Sequence, residues 1–142
     1  MTIATILAAK GDAVVTLEVG HSVEDAVTLL HERRIGAVPV MDGGKVAGIF
    51  SERDVIHCMA TRGAGAMQVT VGEVMTAPPI TVSRDEPVLA ALSLMTRRRI
   101  RHLPVVEGDR LVGFVSIGDL VKHRIDRIEA DAEAMRTYIQ TA

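Results

Sequence analysis

Two Ser-x-x-Asp motifs, Ser51 to Asp54 and Ser116 to Asp119, have the residue types and the spacing to bind a polar ligand. A carboxylate one turn inside a helix can accept hydrogen bonds from neighbouring hydroxyl groups, and the helix N-terminus beside it favours an anion. The same spacing is also close to a capping box, which satisfies the free amides at the start of a helix. The two roles are compatible, and the spacing alone leaves both open.

Both motifs lie inside a longer internal repeat. Residues 16–55 align with residues 81–120 at a constant offset of 65 positions, without a gap, and 13 of the 40 pairs are identical. Gly48 and Gly113 form one of the identical pairs. A constant offset over this length predicts a duplicated structural unit.

Each repeat has the pattern of the same elements in the order β-α-β-β-α. A short extended piece precedes a helix with one apolar face, and two β-rich runs separated by turn residues then precede a second helix. We therefore expect an α/β (α+β) fold, with two three-stranded units packed about a pseudo-twofold axis and two related clefts between them. In the first repeat we predict strands at 14–17, 37–41 and 45–50 and the first helix at 23–34. In the second repeat the equivalent strands are 80–82, 102–106 and 110–115, and the helix is 88–99.

The predicted boundaries follow from the repeat and from the residues between its copies. Glycine and proline mark the linker, and Thr70-x-x-Glu73 within it has the pattern of a capping box that opens one helical turn. The expected divisions are a helical lead-in at 1–13, the first repeat at 14–62, the linker at 63–79, the second repeat at 80–124 and a C-terminal helix extension at 125–142.

Composition limits the classes of function. The 142 residues are 48% hydrophobic and only 2% aromatic, and the net charge of −2 gives no general attraction to nucleic acid or anionic membrane. No apolar run approaches the roughly 18 residues of a membrane span, and no signal-peptide pattern occurs. The lone Cys58 fits a reducing compartment. We expect a cytoplasmic protein without a membrane or nucleic-acid partner.

Catalytic motifs are missing from the sequence. The five histidines have no metal-binding spacing, and no dinucleotide-binding or Walker motif occurs. Ser51 lacks the glycine pattern of a nucleophile elbow. We therefore expect no enzymatic activity, no metal and no catalytic cofactor.

The repeated pattern resembles the CBS domain. Gly-apolar-x-Ser-x-x-Asp after a strand, with apolar-Pro-Val one hairpin earlier, occurs twice in register over residues 14–124. A tandem pair of such domains is called a Bateman module. Arg53 within the first motif and the Met75-Thr76 pair before the second repeat resemble features of bacterial CBS proteins that consist of such a pair alone. The resemblance implies regulation by an adenosine ligand, which is AMP, ADP, ATP or sometimes NAD or S-adenosylmethionine.

The resemblance also implies which residues bind the ligand. Asp54 and Asp119 are each expected to hold the two hydroxyls of a ribose, and the serines beside them to serve the sugar or the phosphate. Residues 36–39 and 101–104 would form an apolar slot for adenine opposite a threonine of the first strand, although plain strand packing is an alternative role. The expected ligand-binding residues are Thr16, Gly36, Ala37, Val38, Pro39, Ser51, Arg53, Asp54, Thr81, Arg101, His102, Leu103, Pro104, Ser116 and Asp119.

The positive charge is densest at 97–102. We expect Arg97 and Arg98 to lie on a solvated helix face, whereas Arg101 and His102 follow the helix, where related CBS pairs carry basic residues that reach a phosphate. The first repeat has glycine and alanine at the last two positions, so the two clefts cannot be chemically equal. The sequence does not say which ribose site Arg101 serves.

Two further positions bear on this inequality. Arg53 is replaced by Gly118 in the second repeat. Lys10, before the first repeat, could add another phosphate contact.

The C-terminal tail carries apolar residues at 121, 125, 128, 132, 135 and 139, a spacing typical of a coiled-coil seam. The alternative is a helix folded back on its own core. We expect a homodimer that binds an adenine nucleotide and reports energy or redox state to an effector that the sequence does not identify. The other interpretation is a ligand-independent scaffold or interaction protein with degenerate clefts.

Overall fold

Each repeat forms an antiparallel hairpin flanked by helices, in the predicted order. The computed structural model describes residues 1–11 and 13–141. The helices are α1 (Ile3–Lys10), α2 (Val23–Arg33), α3 (Glu52–Arg62), α4 (Val71–Val74), α5 (Val88–Arg98) and α6 (Ile117–Thr141), with a 3₁₀ helix at Gly63–Gln68. The strands are β1 (Leu17–Glu18), β2 (Ala37–Asp42), β3 (Lys45–Ser51), β4 (His102–Glu107) and β5 (Arg110–Ser116).

Local capping explains where several helices begin. Ser22 accepts a hydrogen bond from the Asp25 amide at 3.0 Å and opens α2 with a capping box. Thr70 and Glu73 form the predicted capping box at the start of α4. The helix starts were therefore readable from residues three positions apart.

The first helices of the two repeats also end alike. Arg34 follows α2 with φ 54°, and Arg99 follows α5 with φ 55°, both in the left-handed conformation. A non-glycine residue is uncommon there and costs about 1–2 kcal/mol. The duplication therefore reproduces a strained backbone turn at equivalent positions, and the turn after α5 leads directly to Arg101.

The sheets differ from the prediction in the first strand of each repeat, since β1 covers Leu17–Glu18 and not the predicted 14–17. β1 pairs in parallel with β2, which pairs with β3, but over residues 1–11 and 13–141 the second sheet contains only β4 and β5. The strand predicted at 80–82 was wrong in extent, because only an isolated bridge between Val82 and Val105 forms. The prolines of the apolar-Pro-Val pattern limit this pairing. Pro104 has no N–H to donate to the carbonyl of residue 80, so the parallel ladder cannot extend in that direction.

The segment that precedes each repeat, which we call its lead-in, packs in the hydrophobic core of the other repeat. Ile3, Ile6 and Leu7 of α1 are buried in the core of the second repeat. Val71 of α4 is buried in the core of the first repeat. Each lead-in thus packs on the opposite repeat, and this crossing binds the halves together.

The repeated glycines lie where the lead-ins cross the hairpins. A Cβ on Gly48 would lie 2.7 Å from both Met75 Sδ and the Thr76 carbonyl oxygen. A Cβ on Gly113 would lie 2.6 Å from Leu7 Cδ2. At both positions a side chain would require the neighbouring atoms to shift, which explains the two glycines.

The long helix α6 begins at the second Ser-x-x-Asp motif and leaves the core after Leu120, its last buried residue. Its apolar seam is exposed, from 42% at Val121 to 67% at Ile139. The helix is therefore not folded back on its own core over the described residues. Among residues 1–11 and 13–141, no helix combines the length and the apolar character needed to cross a membrane.

Candidate functional site

A cleft lies between the start of α3 in the first repeat and the end of α5 in the second. Its volume is about 560 Å³. Small-molecule sites typically enclose about 300–1,000 Å³, so the space suits a ligand of that class. We call it the Asp54 cleft, and it is lined by Gly36, Ile49, Ser51, Glu52, Arg53, Asp54, Ile56, Thr76, Pro78, Pro79, Ile80, Arg98, Arg99, Ile100, Arg101 and His102.

Asp54 is half-buried and is held at the N-terminus of α3. Its Oδ2 accepts hydrogen bonds from the Ser51 amide at 2.9 Å and the Ser51 hydroxyl at 3.1 Å. Its Oδ1 accepts a hydrogen bond from the Thr76 hydroxyl at 2.9 Å. The motif therefore forms the capping box, and the same contacts place a carboxylate at the wall of the cleft.

Arginines from both repeats line the same cleft. Arg53 comes from α3, whereas Arg98, Arg99 and Arg101 come from the end of α5 and the residues after it. Against these four guanidinium groups stand two carboxylates, those of Asp54 and its neighbour at position 52, so the lining carries an excess of two positive charges.

The arrangement answers the question about Arg101, which lines the cleft of the first repeat's carboxylate. It also corrects the expectation for Arg98, which is exposed as predicted but lines the cleft as well. The reason is the left-handed turn at Arg99, which ends the helix beside the opposite repeat.

His102 connects the cleft with the second repeat. Its ring stacks on Phe114 with centroids 5.4 Å apart and planes at 11°. Burial lowers the pKa of His102 below its ordinary value, and the nearby Lys10 and Arg101 charges lower it further. The carboxylates of Asp119 and Glu52 raise the pKa, but by less than these causes lower it. The imidazole is therefore neutral at pH 7, and it offers hydrogen bonds to a ligand without adding a charge.

The apolar walls of the cleft come from residues that the sequence interpretation missed. Pro78, Pro79 and Ile80 approach from the segment before the second repeat, and Ile49 and Ile56 come from the first. The Pro-Pro pair next to the repeat was the one available signal, because it predicts a rigid extended segment but not what that segment contacts.

The other predicted ligand residues are distributed differently. Gly36, Ser51 and Arg53 line the Asp54 cleft, but five slot residues are buried within strands β2 and β4. Thr16 lines a separate groove with Arg110, and Thr81 is exposed outside the cleft lining. The buried five are Ala37, Val38, Pro39, Leu103 and Pro104.

Ser116 and Asp119 form an equivalent capped site, which we call the Asp119 site. The Ser116 amide donates to Asp119 Oδ2 at 2.8 Å, and the Asp119 amide donates to the Ser116 hydroxyl at 3.1 Å. Lys10 Nζ donates to the same Oδ2 at 2.6 Å and to the Phe114 carbonyl at 2.8 Å. The lysine considered for phosphate binding therefore contacts a carboxylate.

The electrostatics of Asp119 reflect this cation. Burial by itself would raise the pKa of Asp119, but hydrogen bonds from Lys10 and Ser116 and the Lys10 charge outweigh it, so the pKa lies below its ordinary value. The carboxylate is ionised at neutral pH and is paired with a cation of the same chain.

Comparison with known proteins identifies both repeats. The CBS domain profile matches residues 11–61 and 71–126. Among curated proteins, the chain is similar to the mitochondrial CBS domain-containing protein CBSX3 of Arabidopsis thaliana, with 36% identity over 84% of this chain and 60% of that protein. It is also similar to the CBS domain-containing protein YhcV of Bacillus subtilis, with 29% identity over 82% of this chain and 83% of that protein. The chain thus spans less than two thirds of CBSX3 and most of YhcV.

Solved structures have the same fold. The CBS-domain protein ATU1752 of Agrobacterium tumefaciens is 39% identical, with a TM-score of 0.84 over 87% of this chain and 99% of that chain. The CBS domain pair of protein MJ0100, solved with 5′-methylthioadenosine and S-adenosyl-L-methionine, is 27% identical, with a TM-score of 0.79 over 89% of this chain and 98% of that chain. Two profile matches on one chain, together with the crossed fold of the two repeats, show that this protein belongs to the CBS-domain family as a tandem CBS pair.

Proposed function

We propose that this chain is a regulatory module that binds an adenosine-containing ligand, AMP, ADP, ATP or NAD, in the Asp54 cleft. The observation that carries the proposal is the meeting of one half-buried carboxylate with four arginines drawn from both repeats. A carboxylate suits the two hydroxyls of a ribose, and guanidinium groups match phosphate oxygens in charge and geometry.

The ligand class is supported by the MJ0100 CBS pair, which was solved with two ligands that contain adenosine. Neither of those ligands carries a phosphate. The preference for a phosphorylated ligand therefore rests on the arginines of this chain and not on the relative.

Each part of such a ligand has a matching part of the cleft. Asp54 would take the ribose hydroxyls, which would replace the Thr76 hydroxyl now bonded to Oδ1 at 2.9 Å. Ile56 and Ile80 line the cleft with apolar side chains, against which an adenine ring would pack. The arginines at 53, 98, 99 and 101 would meet the phosphates.

The deciding experiment is titration calorimetry of the purified protein with adenosine, AMP, ADP, ATP and NAD, supported by thermal shift. A ligand at 100 times its Kd stabilises the folded state by about 2.7 kcal/mol, which raises the melting temperature by several degrees. Asp54→Ala should abolish most of the heat, and Asp42→Ala, an exposed carboxylate at the end of β2, is the matched control. Absence of heat and of a melting shift at millimolar concentration for every ligand would contradict the proposal.

That negative result would favour the second interpretation, a scaffold or interaction protein whose clefts hold no ligand. The exposed apolar seam of α6 is the specific observation in its favour, because such surfaces mark protein contacts. In both interpretations the proposed role is binding and not catalysis, and the cytoplasmic location stays a prediction from the sequence.

We further propose that the module acts as a homodimer, through which nucleotide binding reports energy or redox state. Ile125 is 49% exposed and Ile128 is 51% exposed along the seam of α6. The alternating spacing of three and four along the whole seam, 121 to 139, matches that of a two-stranded coiled coil, so a second copy of the same helix fits it.

Light scattering at tens of micromolar tests the dimer. Wild type should have twice the monomer mass, and Ile128→Asp should lower the mass toward the monomer because it buries a charge in the seam. Glu129→Asp, a conservative change at the neighbouring exposed position, should leave the mass unchanged. A monomeric wild type would contradict the proposed dimer but would leave the nucleotide proposal untouched.

A further inference from the structure

The helix that carries Lys10 is fixed to the second repeat. The amide of Ile3 donates to the Glu86 carbonyl at 2.9 Å, and the amide of Ala4 donates to the Arg84 carbonyl at 3.0 Å. Leu7 is 5% exposed in the core of that repeat. Lys10 lies in the last turn of this helix, so α1 places a cation beside the second repeat.

The Lys10 ammonium makes the contacts that Thr76 makes at the equivalent place of the other repeat. In the first repeat, the Thr76 amide donates to the Ile49 carbonyl at 2.9 Å, and its hydroxyl donates to Asp54 at 2.9 Å. In the second repeat, Lys10 Nζ alone donates both to the Phe114 carbonyl and to Asp119. One charged group therefore replaces two neutral donors.

The replacement changes whether a ligand hydroxyl can displace the donor that is bonded to the carboxylate. A neutral hydroxyl can give way to a ligand hydroxyl of the same kind, because one neutral hydrogen bond is exchanged for another. An ammonium at 2.6 Å from the carboxylate forms a charge-assisted hydrogen bond, which is roughly twice as strong, and a neutral ribose cannot supply that charge.

We infer that Lys10 occupies the ribose position of the Asp119 site and thereby restricts the intact chain to one adenosine ligand, held in the Asp54 cleft. The inference rests on the proposed function and adds to it the residue that decides which carboxylate is open. Lys10 is 39% exposed and Asp119 is 27% exposed, so a change at Lys10 alone opens the site without dismantling the core.

The second site, once opened, differs from the first in chemistry. At the positions equivalent to Arg53 and Arg101, the sequence has Gly118 and Gly36. The opened site therefore lacks two of the four arginine positions of the Asp54 cleft and keeps Arg33 and Arg34, the equivalents of the other two, so its preference for AMP over adenosine should be smaller.

The test is calorimetric titration of adenosine into wild type, Lys10→Ala and the double variant Lys10→Ala/Asp54→Ala. We expect one site in wild type and two sites in Lys10→Ala. In the double variant we expect one remaining site, lost again when Asp119→Ala is added. Lys45→Ala, which removes an exposed ion-paired lysine at the start of β3, should bind as wild type does.

Each other outcome has a definite meaning. Two sites in wild type, or one site both in wild type and in a Lys10→Ala protein with an unchanged circular dichroism spectrum, overturns the role of Lys10. No site in wild type but one in Lys10→Ala overturns the proposed function at Asp54 and leaves the inference on Lys10 standing. No binding by any variant overturns both.

Discussion

The Asp54 cleft and the Asp119 site are built on the same duplicated frame, yet they differ in charge and in access. Each has a capped Ser-x-x-Asp motif whose carboxylate accepts a hydrogen bond from the opposite lead-in segment. At the Asp54 cleft that donor is the neutral Thr76 hydroxyl, and at the Asp119 site it is the Lys10 ammonium. The difference teaches that packing preserved the frame of the repeat, whereas a few side chains on its rim decide which carboxylate is paired with a cation and which one lines an arginine-rich cleft.

Two of the arginines also distinguish the Asp54 cleft from the Asp119 site. Arg53 and Arg101 belong to different repeats but line one cleft, because the crossing of the halves brings the end of α5 to the start of α3. The equivalent positions, Gly118 and Gly36, add no charge to the other side. Unequal clefts thus arise from equal frames through substitutions at a few positions.

The largest expected effect tests the frame itself, at the two glycines. Gly48→Ala places a methyl 2.7 Å from the Thr76 carbonyl, a backbone atom, and should lower the free energy of unfolding by about 3 kcal/mol, near the upper end for overpacking. Gly113→Ala meets the Leu7 side chain, which can shift, and should cost about 1 kcal/mol. Urea denaturation measures both.

Gly20→Ala is the control for this pair, because nothing lies within 4 Å of its added Cβ. It should stay within about 0.5 kcal/mol of wild type. Equal losses at Gly48 and Gly113 would show that the two crossings are equally rigid and would remove this difference between the halves.

The second effect separates the two carboxylates by affinity. Asp54→Ala should weaken ADP binding by about 10- to 150-fold, the range for a charged hydrogen bond of roughly 1.5–3 kcal/mol. Asp119→Ala should change it by less than about threefold, well below 1.4 kcal/mol. Calorimetry gives both constants, and Asp25→Ala, which removes a capping carboxylate at α2, controls for the loss of a cap. Equal effects at the two aspartates would mean that the sites are equivalent.

The third effect concerns phosphate recognition. Arg101→Ala should remove the preference for AMP over adenosine, a loss of about tenfold in AMP affinity or roughly 1.4 kcal/mol, while adenosine affinity is spared. Arg97→Ala, an exposed neighbour outside the cleft lining, should leave the preference intact. An equal loss for both ligands would assign Arg101 to the fold and not to the phosphate.

The smallest effect is a pH dependence confined to the second repeat. The pKa of His102 is lowered by burial in the folded state, so below about pH 6.5 the unfolded chain takes up a proton that the folded chain resists. Stability present above pH 6.5 is therefore lost progressively as the pH falls. His102→Phe keeps a ring against Phe114 and should remove this loss, by less than about 1 kcal/mol at pH 5.5. Parallel stability curves for the two proteins between pH 7.5 and 5.5 would contradict the assignment.

The sequence by itself determined the features that depend on neighbouring residues. The constant offset predicted two equivalent units, and the capping pairs at Ser51 and Thr70 predicted where helices start. The hairpins followed from apolar runs around short turns. These signals are local, because a cap or a turn is completed within a few positions of the chain.

Tertiary structure decided everything that joins residues far apart in the chain. That Lys10 meets Asp119, and that Arg101 shares a cleft with Asp54, follows from lead-in segments that cross to the opposite repeat. The repeated Gly48 is required by the approach of a carbonyl from residue 76. No local pattern encodes such a crossing, because it depends on which of two similar apolar cores buries each lead-in, and that choice is made only when both repeats pack together.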